Sequence, residues 1–577
     1  MGMGYSLSWL IICLLSIIGN IVFEIEANCD IIYKDHSICL PKDQPSKQPY
    51  RTAYHFQPPK NWMNGPMIYK GIYHLFYQYN PKGALWGYLV WAHSTSKDLV
   101  NWTPHPIAFY PDQEYDINGC WSGSTTILPG GKPVILYTGI NSQNKEVQNL
   151  AYPKNLSDPY LIEWTKSPYN PLLAPNLENM INARSFRDPS TSWLGNDGEW
   201  RVIIGNEREQ QGKALLYRSK DFVHWTEAKH PLHSSSGSGM WECLDFYPVS
   251  ISTLDGVDTS VVESGVKYVL KVSLFDVAKD SYVLGRYIVE KDVFIPENES
   301  LETGSWLRYD YGKFYGSKTF FDSSTKRRIL WAWINESTDA TIDVKKGWSG
   351  IQAIPRTIWL DESGKQLVQW PVTEIEKLRT KQVIHPSTML KGELTLEISG
   401  VTASQADVEI SFEIPTLENA EEMNPNWTDA QTICSQKGAS IRGGLGPFGL
   451  LILASEDLQE YTAVFFRVFK DKNRYVVLMC SDQSRSSVLL DYDKTTYGAF
   501  VDLDPLKEKL SLRSLIDHSV VESFGGEGKA CITARVYPTL AIDEGAHLYA
   551  FNNGTENINI SKLTAWSMKK AKINEET

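Results

Sequence analysis

Short runs of β-branched and aromatic residues, each bounded by turn formers, recur along the chain. Examples are Val134–Tyr137, Arg201–Ile204, Tyr268–Leu274 and Ile329–Ile334, and such runs predict strands. Apolar spacing of the helical kind is scarce, so the pattern predicts an all-β protein. One short pattern repeats. Leu99-Val100-Asn101-Trp102 returns as Leu161-Ile162-Glu163-Trp164 and as Phe222-Val223-His224-Trp225, with the tryptophans 62 and 61 residues apart. A period of about 60 residues suits one four-stranded propeller blade with long loops, so residues 50–365 would hold five blades. Residues 366–394, charged and punctuated by Pro371 and Pro386, read as a linker. From 395 to 570, alternating runs such as Ala406–Ile414, Tyr461–Val468 and Ala530–Val536 predict a C-terminal β-sandwich.

Composition adds compartment and excludes some partners. A formal net charge of −12 argues against nucleic acid, which needs a basic surface, and offers no polybasic membrane patch. Residues 8–23 are almost wholly apolar and lead through Glu24 and Glu26 to Ala27, which predicts a secretory signal peptide over 1–27. A retained anchor helix and N-myristoylation at Gly2 are the readings weighed against it; after signal cleavage no membrane association is expected. Sequons at Asn101, Asn155, Asn298, Asn335, Asn426, Asn553 and Asn559 fit a secreted glycoprotein. Of eight cysteines, Cys13 lies in the signal region, so the mature chain keeps an odd number. Cys434 and Cys480 flank a strand-rich apolar stretch and are the expected disulfide.

Three segments place acids among aromatics: His55–Pro66, Ser185–Pro189 and Met240–Phe246. Inner strands of a propeller converge, so Asp188 and Glu242, about one blade apart, can meet there. Glycoside hydrolysis by retention needs two carboxyl groups about 5 Å apart, and its proton donor needs neighbours that raise its pKa. Glu242, beside Trp241 and near Asp245, suits the donor; Arg187 would keep Asp188 ionised. An ion pair or a turn cap is the plain alternative for each acid. Asp517-His518-Ser519 resembles a protease triad only in print, since adjacent strand residues face opposite ways. No metal-ligand spacing occurs.

Together these segments resemble glycoside hydrolase family 32, in particular the plant acid invertases and fructan exohydrolases. Ile72–Gly83, Asp116–Ser124, Trp348–Thr357 and Ser514–Phe524 extend the likeness over about residues 50–565. The resemblance implies a five-bladed propeller with a β-sandwich and retaining cleavage of terminal β-fructofuranosides without a cofactor. Sucrose or fructan would be the substrate, and the location extracellular, in the cell wall rather than the vacuole; oligomeric state is left open. It implies Glu242 as acid/base and Asp188 as transition-state stabiliser, with Trp62, Asn64, Gln78, Trp86, Ser122 and Arg187 binding the sugar.

The chain departs from the family at one decisive place. The family reads Trp-Met-Asn-Asp-Pro-Asn-Gly, its Asp being the nucleophile, whereas this chain reads Trp62-Met63-Asn64-Gly65-Pro66. A nucleophile is therefore absent between Asn64 and Gly65, and the loss of a block between intact flanks suggests a skipped short exon. Impaired hydrolysis is expected, with a non-catalytic fructan or sucrose binder or regulator as the alternative. Leu244 departs from the family's usual Pro or Val. Phe275 stands where invertases carry an Asp, with Asp276 and Lys279 preserving the family's Asp–Lys spacing one residue on, a shift that would turn them to the other face of a strand. This favours fructan exohydrolase over invertase.

Overall fold

Five antiparallel sheets follow one another along the chain, and each begins with the strand nearest the centre. Blade one comprises Pro66–Tyr69, Ile72–Tyr79, Val90–Ser96 and Thr103–Phe109. The inner strands of blades two, four and five are Cys120–Leu128, Trp241–Ser250 and Phe314–Asp322. In blade three the inner position is split between Phe186–Arg187 and Trp193–Leu194, both paired with Trp200–Arg208. The structure, a computed structural model, describes residues 48–58, 65–176, 181–261, 264–297 and 306–573. The propeller and the sandwich both lie within the unit Pro49–Thr577. The expected signal segment, Trp62, Asn64 and Asn298 lie outside the described residues.

The repeat seen in the sequence is the turn between the third and fourth strands of blades one to three. Leu99, Leu161 and Phe222 all take positive φ, at 62°, 47° and 66°. Each following tryptophan donates its indole N–H back to that residue's carbonyl, at 3.2, 2.7 and 3.2 Å. Asp98, Asp158 and Asp221 cap the same turns by accepting backbone amides. A non-glycine residue in left-handed backbone costs about 1 kcal/mol or more. The indole bond and the acid cap offset that cost, so the motif recurs as a set.

The stretch expected to be a linker is structured throughout. Leu367–Pro371 closes blade five by pairing with Arg356–Leu360, so the propeller runs past residue 365. A 3-10 turn follows at Thr373–Leu378, and then Arg379–His385 and Thr388–Leu390 pair with Ile558–Met568 in the sandwich. Arg379–His385 is a solvent-facing edge strand, and its charges, which blunt such an edge, made it read as a connector. Two sheets then face each other across Val408, Ile410, Phe412, Phe448, Leu450, Phe466 and Leu512, as the alternating pattern predicted.

Cys434, on the helix Ala430–Gln436, is bonded to Cys480 on the strand Arg474–Asp482, with α-carbons 5.6 Å apart. Cys120, Cys243 and Cys531 are free and buried. Asn155 and Asn426 are exposed, whereas Asn101, Asn335, Asn553 and Asn559 are half-buried. Among the described residues no helix is long and apolar enough to cross a membrane.

A buried ionic cluster joins the two domains. His55 reaches Asp517 Oδ2 through Nδ1 and Glu522 Oε1 through Nε2, both at 2.9 Å. Arg356 reaches Glu522 at 2.5 Å and Asp310 at 3.0 Å. The Asp517 carboxylate also accepts the amides of Ala53, Tyr54 and His55. Asp517 is thus occupied by His55, while His518 contacts Gln405 and Ser519 donates to the Tyr50 carbonyl. No triad forms.

Candidate active site

Inner strands of successive blades run the same way, so residues near their N-terminal ends gather at one end of the propeller. Ser122, Glu242 and Tyr315 all sit there, and in each case the strand is bulged: the register slips between Cys120 and Gly123, Glu242 and Asp245, and Tyr315 and Lys318. A bulge adds a residue on one strand and re-aims its side chains. Gly316, at φ 62°, supplies the left-handed residue in the third bulge, and Cys243, at φ 46°, does so in the second. Behind them Lys271 binds Asp280 at 3.1 Å and the carbonyls of Cys243 and Ser317. Asp280 in turn accepts the amides of Gly316 and Ser317. One buried ion pair therefore fixes the bulges of blades four and five.

The structure brings Arg187, Asp188 and Glu242 together. Asp188 follows the first piece of the blade-three inner strand at φ 66°; its Oδ2 accepts the Cys243 amide at 2.9 Å. Its own amide donates to Thr138 Oγ1 at 2.8 Å. Arg187 Nε donates to Glu242 Oε1 at 2.8 Å, and the Tyr315 hydroxyl donates to Glu242 Oε2 at 2.6 Å. Burial raises the Glu242 pKa; Arg187 pulls it back, the charge on Asp188 adds to the rise, and Tyr315 again opposes it. The net rise suits a proton donor.

One expectation changes here. Asp188 meets Glu242 and is the like charge acting on it, whereas Asp245, also expected near Glu242, has its carboxylate taken by the amide and hydroxyl of Thr319. Trp241 points into the packed core between blades. Arg187 acts on Asp188 by charge, as expected, and in addition spans Glu242 and Glu146, the latter at 2.9 Å. Glu146, which sequence reasoning missed, also accepts the Phe186 amide at 2.6 Å. Tyr315 was missed as well.

Gln78 donates to Ser122 at 2.9 Å, linking two of the expected sugar-binding residues across blades one and two. Trp86 is exposed and meets Trp121 edge-on at 5.6 Å. Phe275 lies in a 3-10 turn, Phe275–Val277, rather than on a strand, so the strand-face argument for Asp276 and Lys279 does not apply. Phe275 is 55 % exposed, and its ring sits 5.5 Å from the Arg187 guanidinium carbon. Leu244 is buried between blades three and four.

A propeller joined to a sandwich, with a protonatable glutamate beside a buried aspartate and an arginine, defines a glycoside hydrolase architecture. Residues 55–371 match the description "Glycosyl hydrolases family 32 N-terminal domain" and residues 374–567 "Glycosyl hydrolases family 32 C terminal". The chain is 59 % identical over 575 residues to the insoluble isoenzyme CWINV1 β-fructofuranosidase of Arabidopsis thaliana, covering 98 % of each. It is 62 % identical over 535 residues to fructan 6-exohydrolase of Beta vulgaris, covering 92 % of this chain and 88 % of the other. The crystal structure of fructan 1-exohydrolase IIa from Cichorium intybus superposes with a TM-score of 0.90 at 53 % identity, over 92 % of this chain and all of that one; a variant of it was solved with 1-kestose. The protein belongs to glycoside hydrolase family 32.

Proposed function

We propose that this protein is built to hydrolyse terminal β-D-fructofuranosides in the cell wall by the retaining two-carboxylate route, and that the chain as written is impaired because it lacks the nucleophile. Glu242 is the acid/base, protonating the leaving oxygen and later activating water. Asp188 stabilises the oxocarbenium-like transition state, and Arg187, Gln78, Trp86 and Ser122 hold the sugar together with Trp62 and Asn64. One observation carries this reading: Glu242 lies between Arg187 and Tyr315 with its proton affinity raised. Relatives named as β-fructofuranosidase and fructan exohydrolase support the substrate class, and the insoluble isoenzyme supports the location. Phe275, an apolar ring against Arg187, favours a fructan over sucrose.

The carboxylate that should attack the anomeric carbon has no counterpart between Asn64 and Gly65, and without it no fructosyl-enzyme forms. The test expresses two chains, one as written and one with Asp-Pro-Asn inserted after Asn64, and assays sucrose, inulin and levan. The restored chain should exceed the written one by about a thousandfold or more. Turnover by the written chain within about tenfold of the restored one would overturn the impairment. Sugar binding without turnover by either chain would favour the non-catalytic binder.

A further inference from the structure

Glu146 opens the third strand of blade two, Glu146–Pro153, yet its carboxylate is buried in the site. Oε2 accepts the Phe186 amide at 2.6 Å and Oε1 accepts Arg187 Nη1 at 2.9 Å. Both oxygens are committed to the strand Phe186–Arg187, which Asp188 follows, so Glu146 is not a spare nucleophile. Through Arg187 it is one bridge away from Glu242, and the line Glu146–Arg187–Glu242–Tyr315 crosses blades two, three, four and five.

The charges around this line do not balance. One guanidinium faces three carboxylates, Glu146, Asp188 and Glu242. Of the next cations, Lys271 is taken up by Asp280 and the Cys243 carbonyl, and Lys318, held by the Leu244 carbonyl, acts by charge on Asp188 and Asp245, which leaves Arg187 as the cation that Glu146 and Glu242 share. Two buried carboxylates that divide one cation lose their protons as a pair. We propose that Glu146 is a positioning residue for the hydrolytic reaction: it orients Arg187 and, by taking half of that cation, keeps Glu242 able to hold the proton it must donate. Burial raises the Glu146 pKa to about 7 despite Arg187, consistent with a carboxylate competing for a shared partner.

This inference rests on the hydrolytic reading above, so its test has two arms. In the chain carrying the restored tripeptide, kcat/KM for 1-kestose is measured across pH for the parent, Glu146→Gln and Glu146→Ala. Glutamine keeps an oxygen for Arg187 but removes a charge. It should therefore move the alkaline limb down by about half a pH unit or more, because Glu242 no longer titrates against a second carboxylate. Alanine should move the limb the same way and also lower kcat by about tenfold or more as Arg187 loses its tether. In the chain as written, the pH midpoint of 1-kestose binding, read by calorimetry, should shift downward in Glu146→Gln. A limb and a binding midpoint that both stay put, whatever happens to the maximal rate, would falsify the proposal. An inactive restored chain would sink the hydrolytic reading instead and leave the binding arm to decide on Glu146.

Discussion

Asp188 and Cys243, both in left-handed backbone at φ 66° and 46°, stand at the two ends of one hydrogen bond, Cys243 N to Asp188 Oδ2 at 2.9 Å. Two non-glycine residues in such conformations persist only where the surroundings over-determine them. Here the Thr138 hydroxyl and the Lys271–Asp280 pair do so. In the restored chain, Asp188→Asn should fold normally, since asparagine tolerates this backbone. It should lower kcat by about a hundredfold or more, because the carboxylate is lost from a site where charge develops. Circular dichroism and initial rates check the two halves of that statement.

Tyr315 gives a sign opposite to Glu146. Its hydroxyl donates to Glu242 Oε2 at 2.6 Å and so favours the ionised acid. Tyr315→Phe should raise the proton affinity of Glu242 and extend the alkaline limb of kcat/KM upward by about half a pH unit. A downward shift, or none, would count against the assignment of Glu242 as donor.

The interdomain cluster sets a pH window for stability. Burial alone would lower the His55 pKa, but Asp517 and Glu522 raise it to about 9. A group raised on folding contributes fully below its unfolded pKa of about 6.5, and that contribution fades as pH rises through about 9. Asp517 and Glu522 are held below the ordinary carboxylate range by His55 and Arg356 despite burial; their contribution is present above about pH 4 and fades on acidification. His55→Gln should cost about 3 kcal/mol or more at pH 6, because buried Asp517 loses its ion-pair partner and Glu522 loses one of two, keeping Arg356. It should also flatten the decline between about pH 7 and 10. Denaturant titrations followed by tryptophan fluorescence across pH measure both.

The Cys434–Cys480 bond joins residues 46 apart, and a loop of that size predicts about 2–4 kcal/mol of stabilisation. The pair Cys434→Ser and Cys480→Ser should lower the denaturant midpoint accordingly. Because both sulfurs are buried, reductant added to the folded protein should change little until the sandwich opens, which thiol labelling resolves.

Much of the fold was legible because strands advertise themselves. The repeat of Leu or Phe three residues before Trp encoded a real turn, with its indole bond and acid cap, and so gave blade spacing. That spacing in turn brought Asp188 and Glu242 onto neighbouring inner strands. Glu146 was not legible. It follows the polar run Asn141–Lys145 and reads as a solvated turn acid until the next blade's Phe186 and Arg187 close over it. Tyr315 hid in a Tyr-Gly-Ser stretch that reads as a turn, because the bulge needing Gly316 is defined only by pairing with the Arg327–Ile334 strand. Asp245 is near Glu242 in sequence, but the bulge between them turns its carboxylate to Thr319.

His55, Arg356 and Asp310 come from the propeller side and Asp517 and Glu522 from the sandwich side, and all five are sealed from solvent. Cutting the gene after Pro371 would therefore hand each fragment a raw, unneutralised face: two cations and an acid on one, two bare anions on the other. Neither fragment could be transplanted as a module. The halves must be inherited and engineered as a pair.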